Sequence, residues 1–348
     1  MRYFGIYFLL FMVLILPTVA GLRAQTSVFS FLDLPVSSRM AALGGKNVSL
    51  ADQDINFALQ NPALLGRGVD NSIGLNMANY LADIKFGTAI YSRSFGANHF
   101  ALGVQFVDYG VFKETTEFNE IIGEFGAQDI AISLIYSREL MKNLTVGAAL
   151  KPVYSAYERY TSYGAAVDLG VSYSKPEQFF SAGLALRNIG GQIKGYYAGA
   201  DGQHFESLPF DIQLGVSKKL EHAPFRFSVT LHNLHNWDLN YLQNNDGLMD
   251  YERTDLILPV KWIDMAFRHT VMGVEFLPGK NFYLAASYNH RRHQEMKMNG
   301  FKSMAGFSFG GGIKISRFQI GFGMSQFQVG NFAYLFSVST SLSEFRNM

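Results

Sequence analysis

From Asn71 to the end, this chain alternates bulky apolar residues with small or polar ones, in about fourteen segments separated by turn residues. The segments begin near Ser72, Ile84, Phe100, Asp129, Leu144, Tyr163, Phe180, Phe210, Phe225, Ala266, Phe282, Met304, Phe318 and Phe332. Each runs for roughly 8 to 14 residues, close to the ~9–11 that a tilted strand needs to cross a bilayer. Phe225, Phe227, Val229 and Leu231, for example, alternate with Arg226, Ser228, Thr230 and His232. Within these segments Lys85, Asp129, Lys151, Asp168, Arg187, Asp211, Arg226, Glu275 and Lys314 each fall opposite the Phe/Leu/Val row of their own strand. A basic residue facing lipid costs roughly 2–4 kcal/mol at mid-membrane, so this segregation predicts lumen-facing charges in a barrel. A water-soluble β-sandwich also alternates, but its polar face meets bulk water and carries many Lys, Glu and Thr. Here that face carries Gly, Ala, Ser and a few charges of both signs. The expected fold is all-β, a transmembrane antiparallel β-barrel of about 14 strands.

Connection lengths point the same way. Links after odd strands are long, at about 113–127, 191–208, 237–264 and 291–302. Links after even strands are short, as at Phe95-Gly96-Ala97, Met141-Lys142-Asn143 and Lys175-Pro176-Glu177. Long outer loops with short inner turns are an outer-membrane pattern. Tyr136, Tyr154, Tyr157, Tyr173 and Tyr288 lie toward strand ends, where interfacial aromatic belts form.

Residues 1–24 read as a signal peptide. Arg2 gives a positive start, Ile6 to Leu16 an apolar core, and Thr18-Val19-Ala20 a small-x-small cleavage site. No other segment is long and apolar enough for a transmembrane helix. Only 16% of residues are charged, against about 25% in average soluble domains. A net charge of +1 implies no broad attraction to nucleic acid, and the absence of cysteine excludes disulfides and thiolate chemistry.

Residues 25–70 lack strand alternation and are expected to form a hatch inside or against the mouth of the barrel formed by residues 71–348. In SLADQDINFALQNPALL, Ser49 and Asp52 have capping-box spacing, and Ile55, Ala58 and Leu59 share one side of a short helix. Asn61-Pro62 ends that helix. Ala41-Ala42-Leu43-Gly44-Gly45 reads as a flexible small-residue turn. Asp52 and Asp54 fit helix N-terminal acids better than a calcium loop, which needs a following Gly and a terminal Glu.

Little catalytic chemistry is present. No G-x-S-x-G elbow occurs. His232/His235 and His290/His293 read as surface or rim residues and not as metal ligands, because an odd spacing on a strand puts the pair on opposite faces, although at a loop edge either pair could still meet a metal. Gly310-Gly311-Gly312 reads as a strand kink or close wall contact. Neither enzyme activity nor a cofactor is expected. The longest outer link mixes aromatics and acids, and Trp237, Asp238, Tyr241 and Tyr251 are its candidate partner-binding residues.

The acidic pair, the short helix and Asn61-Pro62-Ala63 before the first strand resemble the hatch of the long-chain fatty acid transporter family of fourteen-stranded outer-membrane barrels. Ser27 to Leu65 and Leu208 to Leu239 resemble more specifically the PorQ family of the type IX protein secretion system. That resemblance implies a bacterial outer-membrane protein set in outer-membrane lipid. It would be a non-enzymatic part of the attachment complex that holds a PorZ-like surface protein, beside a sortase-like protease and its barrel shuttle partner. The alternative is a passive transporter of hydrophobic solutes. A barrel-embedded hydrolase is a distant third reading.

Overall fold

The structure, a computed structural model, describes residues 27–80, 84–199, 202–239, 262–296, 304–328 and 331–345. The expected signal peptide, Tyr241 and Tyr251 lie outside the described residues. Fourteen strands form one closed antiparallel barrel. They are β1 (Ser72–Asn79), β2 (Lys85–Phe95), β3 (Asn98–Thr115), β4 (Ile121–Met141), β5 (Leu144–Tyr157), β6 (Tyr160–Lys175) and β7 (Phe180–Lys194). They continue as β8 (Asp211–Lys219), β9 (Phe225–Leu231), β10 (Thr270–Phe276), β11 (Phe282–Asn289), β12 (Phe307–Ile315), β13 (Phe318–Gln328) and β14 (Asn331–Ser341). Each pairs with the next, and β14 returns to β1 in a register running from Ser72↔Ser341 to Asn79↔Tyr334. Closure leaves the barrel itself without an unpaired edge. At the short-turn end Gly96, Asn143 and Ser316 hold positive φ, the backbone that tight hairpins demand.

Because side chains alternate, the register fixes what faces outward. Leu75, Leu102, Leu134, Phe227 and Phe336 are each about half exposed on the outer wall. Soluble monomers rarely leave so continuous an apolar belt to water. Among the described residues, no helix is long and apolar enough to cross a membrane, so the strands are the spanning elements.

Three expectations about the wall and its links need correction. The link at 113–127 is a continuation of β3 and β4, turned at Thr116 to Glu120, where Thr116 N–H donates to the Glu120 carbonyl (2.9 Å). The neighbouring strands stop at Lys85↔Asp108 and Tyr157↔Ala127, so this hairpin projects past both. Both its faces are wet, and the alternation that marks a strand therefore disappears. The strand expected near Ala266 begins instead at Thr270, after a helix, Trp262–Arg268. That helix is stabilised by an Arg268–Asp264 pair one turn apart (2.8 Å). Tyr157 turns into the lumen instead of joining an interfacial belt, and its hydroxyl donates to Asp129 (3.0 Å).

Residues 27–70 lie inside the barrel. Helix α1 (Ser38–Ala42) is capped by Ser37, whose hydroxyl accepts from Met40 N–H (3.3 Å). It ends in Gly44 and Gly45, both at positive φ. The small-residue run is thus a buried helix end, not a flexible turn. The helix expected after Ser49 is replaced by two short 3₁₀ turns, Ile55–Leu59 and Pro62–Leu64. Asp54, not Ser49, caps the first, accepting from Asn56 N–H (3.1 Å). Ser49 shares a hydrogen bond with Ser217 on the wall (2.7 Å). Only a few residues separate Asp54 from Pro62, and Pro62 bars Asn61 from α geometry, so a longer helix cannot form.

Candidate functional site

The lumen is the candidate site, and the hatch fills it with two apolar clusters. Ile55, Phe57 and Leu59 pack against Ile90, Ile135 and Tyr283 of the wall. Phe29, Phe31 and Leu32 pack against Phe86, Val107 and Val153. This explains a further correction. On β2 the bulky Phe86 and Ile90 face the hatch, so Lys85, on the opposite face, points outward. It is exposed at the outer end, opposite Asp108, and does not line the lumen.

Ion pairs join hatch to wall in two seams. In the lower seam, toward the short-turn end, Arg39 contacts Asp52 (2.7 Å), Asp54 (3.6 Å) and Glu275 of β10 (2.8 Å). Arg226 of β9 joins Glu275 (2.6 Å) to Asp52 (3.2 Å). The Arg39 guanidinium also lies over Tyr283 (5.0 Å) and Phe57 (5.5 Å). In the upper seam Lys46 contacts Asp211 of β8 (2.7 Å) and Asp33 (3.3 Å). Arg187 reaches Asp33 (3.5 Å) and Asp168 (3.9 Å), and Asp168 is paired with Lys151. Asp129 stands apart and accepts from Tyr109 (2.7 Å), Tyr157 and Ser155. Lys314 sits at the short-turn mouth beside Glu344 (3.1 Å).

The Asn61-Pro62-Ala63 tripeptide fastens the hatch to β5, β6 and β7. Asn61 Oδ1 accepts from Ala63 N–H (3.0 Å), and its Nδ2 donates to the carbonyls of Val48 (2.8 Å) and Val171 (3.3 Å). Three inward glycines make room. Gly147 and Gly170 are cross-strand partners. A Cβ on Gly147 would lie 2.5 Å from the Pro62 carbonyl carbon, and one on Gly183 would overlap the Val48 carbonyl. On the far wall a Cβ on Gly310 would come within 2.7 Å of Ala42, so the triple glycine is a close wall contact. Sequence reasoning missed the hatch ion-pair residues Asp33, Arg39 and Lys46. The available signal was five charges between Asp33 and Asp54 in an otherwise apolar segment, since buried charges require partners.

At the outer end Trp237 stacks on His269 (5.0 Å) and on Trp262 (6.1 Å), and Trp262 is 71% exposed. Asp238 follows, also exposed. Asp264 accepts from His290 Nε2–H (2.7 Å) of helix α3 (His290–Glu295), counting Trp262–Arg268 as α2. Partial burial pushes the Asp264 carboxyl up, but hydrogen bonds from His290 and Arg268 outweigh this and hold it below the ordinary aspartate range. His232, one residue past the outer end of β9, is buried and not on the surface. Among the described residues, no group of three His, Cys, Asp or Glu side chains could hold a metal ion.

No family model matches the sequence, and no curated protein matches it. Solved structures do. The toluene transporter TodX of Pseudomonas putida superposes with a TM-score of 0.55 at 12% identity, over 91% of this chain and 100% of that one. The fold is that of a TodX-type outer-membrane barrel. A deltaS2 mutant of the TodX monoaromatic hydrocarbon channel gives the same TM-score at 14% identity, over 89% of this chain and 99% of that one. The strands, residues 72–341, could not supply such a share alone, so the likeness to TodX extends into the hatch. With its apolar outer wall, this chain belongs in the bacterial outer membrane.

Proposed function

We propose that the barrel is a passive, non-enzymatic channel for hydrophobic solutes, with residues 27–70 as its closure. The likeness to TodX, hatch included, carries this reading. The hatch supports it too. It is held by hydrogen bonds and ion pairs, which can part and re-form, and its Phe and Leu contacts with the wall offer apolar surface to a displacing solute. The test is uptake of radiolabelled toluene by cells with an intact outer membrane, with and without the protein. Faster uptake with the protein is expected, and equal rates would end the reading.

A second reading, anchorage of a PorZ-like surface protein in type IX secretion, is favoured by one observation. Trp237 and Trp262 form a stacked, exposed pair on the outer rim, and Trp is a frequent interface anchor. On this reading, replacing both by Ala releases the PorZ-like protein from cells while the barrel still assembles. Unchanged surface retention would count against it.

A further inference from the structure

The short-turn end holds a cavity of about 630 Å³, within the range of ligand sites. Its floor is the lower seam of the hatch, and its rim is made by the β8–β9, β10–β11 and β12–β13 turns. Arg39, Arg226, Lys219, Lys280, Lys314 and Arg317 line it, against the carboxylates Asp52, Asp54 and Glu344. Three of the six cations are already matched. Arg39 and Arg226 share Asp52 and Glu275, and Lys314 contacts Glu344. Lys219, Lys280 and Arg317 have no carboxylate within ion-pair distance among the described residues. Lys219 lies near the Phe179 ring (5.9 Å) and Arg317 near the Phe345 ring (4.8 Å), contacts that leave each cation without a counter-charge. The alternation of β8 turns Lys219 inward, on the same face as Ser217 and Gly215.

Like charges gathered at a concave mouth repel one another, and the lining screens them incompletely. Between the cations lie neutral hydrogen-bonding groups, among them Ser339, Thr340 and Gln319. An extended acidic peptide matches both features, because it offers carboxylates to the cations and backbone amides to the hydroxyls and carboxamide. We propose that this cavity is a docking site for an acidic peptide segment of a partner in the periplasm. The segment enters from the short-turn side and neutralises Lys219, Lys280 and Arg317. The site faces away from Trp237 and Trp262 and from any solute entering at the outer end, so it does not depend on either reading of the barrel's function.

The experiment uses the full-length barrel in non-ionic detergent and a fluorescein-labelled Asp-Gly-Asp-Gly-Asp-Gly peptide read by anisotropy. A Lys-Gly repeat of equal length and free citrate serve as comparison probes. The expected result is saturable binding of the acidic peptide, weakened by salt and at least about tenfold weaker in the K219E/K280E/R317E variant, a loss of about 1.4 kcal/mol. Unchanged heat-modified migration of the variant on gels shows that it is folded. The single variant K280E, on a turn, should weaken binding by a smaller factor and guards against a triple variant that does not assemble. Equal binding by both variants and the native protein, equal binding of the Lys-Gly probe, or no saturation would overturn the proposal. Displacement by citrate at matched carboxylate concentration would also overturn it, by showing a site for small anions.

Discussion

Arg39 is 7% exposed and faces three carboxylates, two from its own segment and one from the wall. Removing one partner of a buried ion pair costs about 3–5 kcal/mol, because the other is left uncompensated. Arg226 stays beside Asp52 and Glu275, so Arg39→Met should fall at the lower end, about 3 kcal/mol. The readout is the urea midpoint of the folded gel band. Gly183→Ala tests the seat of the hatch. Its Cβ would overlap the backbone of Val48, which cannot rotate away, and a loss of about 1–3 kcal/mol is expected. Gly191→Ala meets open space and should change the same midpoint by less than about 0.5 kcal/mol. At this scale the sequence told part of the story. Asp129, Lys151, Asp168, Arg187, Asp211, Arg226 and Glu275 all point into the lumen. Lys85 does not, because the rule behind the expectation holds that the bulky row of a strand faces lipid. On β2 the bulky row faces a hatch that is itself apolar.

Among the elements, strands were far more legible than helices. Most strand starts lie within a few residues of those read from alternation, because lipid on one side and a packed lumen on the other impose a period of two. The β3–β4 hairpin lost that signal where it leaves the membrane. Helices α1, α2 and α3 are five to seven residues long, too short to show a period. The α2–α3 contact gives a pH prediction. Asp264 titrates below its ordinary value, so its stabilising contact is complete above about pH 3.9. The contact is lost as pH falls through the lower folded value. Both tryptophans of the chain sit at this end, so intrinsic fluorescence reports on it. A fluorescence transition below about pH 3.9 is expected, absent in Asp264→Asn.

For the molecule as a whole, the hatch replaces the water that would otherwise fill the barrel. Deleting residues 27–70 should leave Lys151, Asp168, Arg187 and Asp211 lining an open pore. In planar bilayers the deleted barrel should pass ions and the native one should not. A heat-modified gel shift in both would show that the wall had assembled, and a silent but folded deletion variant would mean that the strands close the lumen unaided. That residues 25–70 are a separate segment was visible in their lack of alternation. How deeply they sit was not, since depth depends on glycines scattered over β5, β6, β7 and β12 whose meeting is set by closure.

The backbone N–H of Ser38 donates to the Ser337 hydroxyl at 2.8 Å, across 299 positions of the chain. Helix α1 is therefore gripped by β14, the stave that closes the cask. The grip can form only when both ends of the chain are in place, so truncation of β14 is expected to leave α1 unheld.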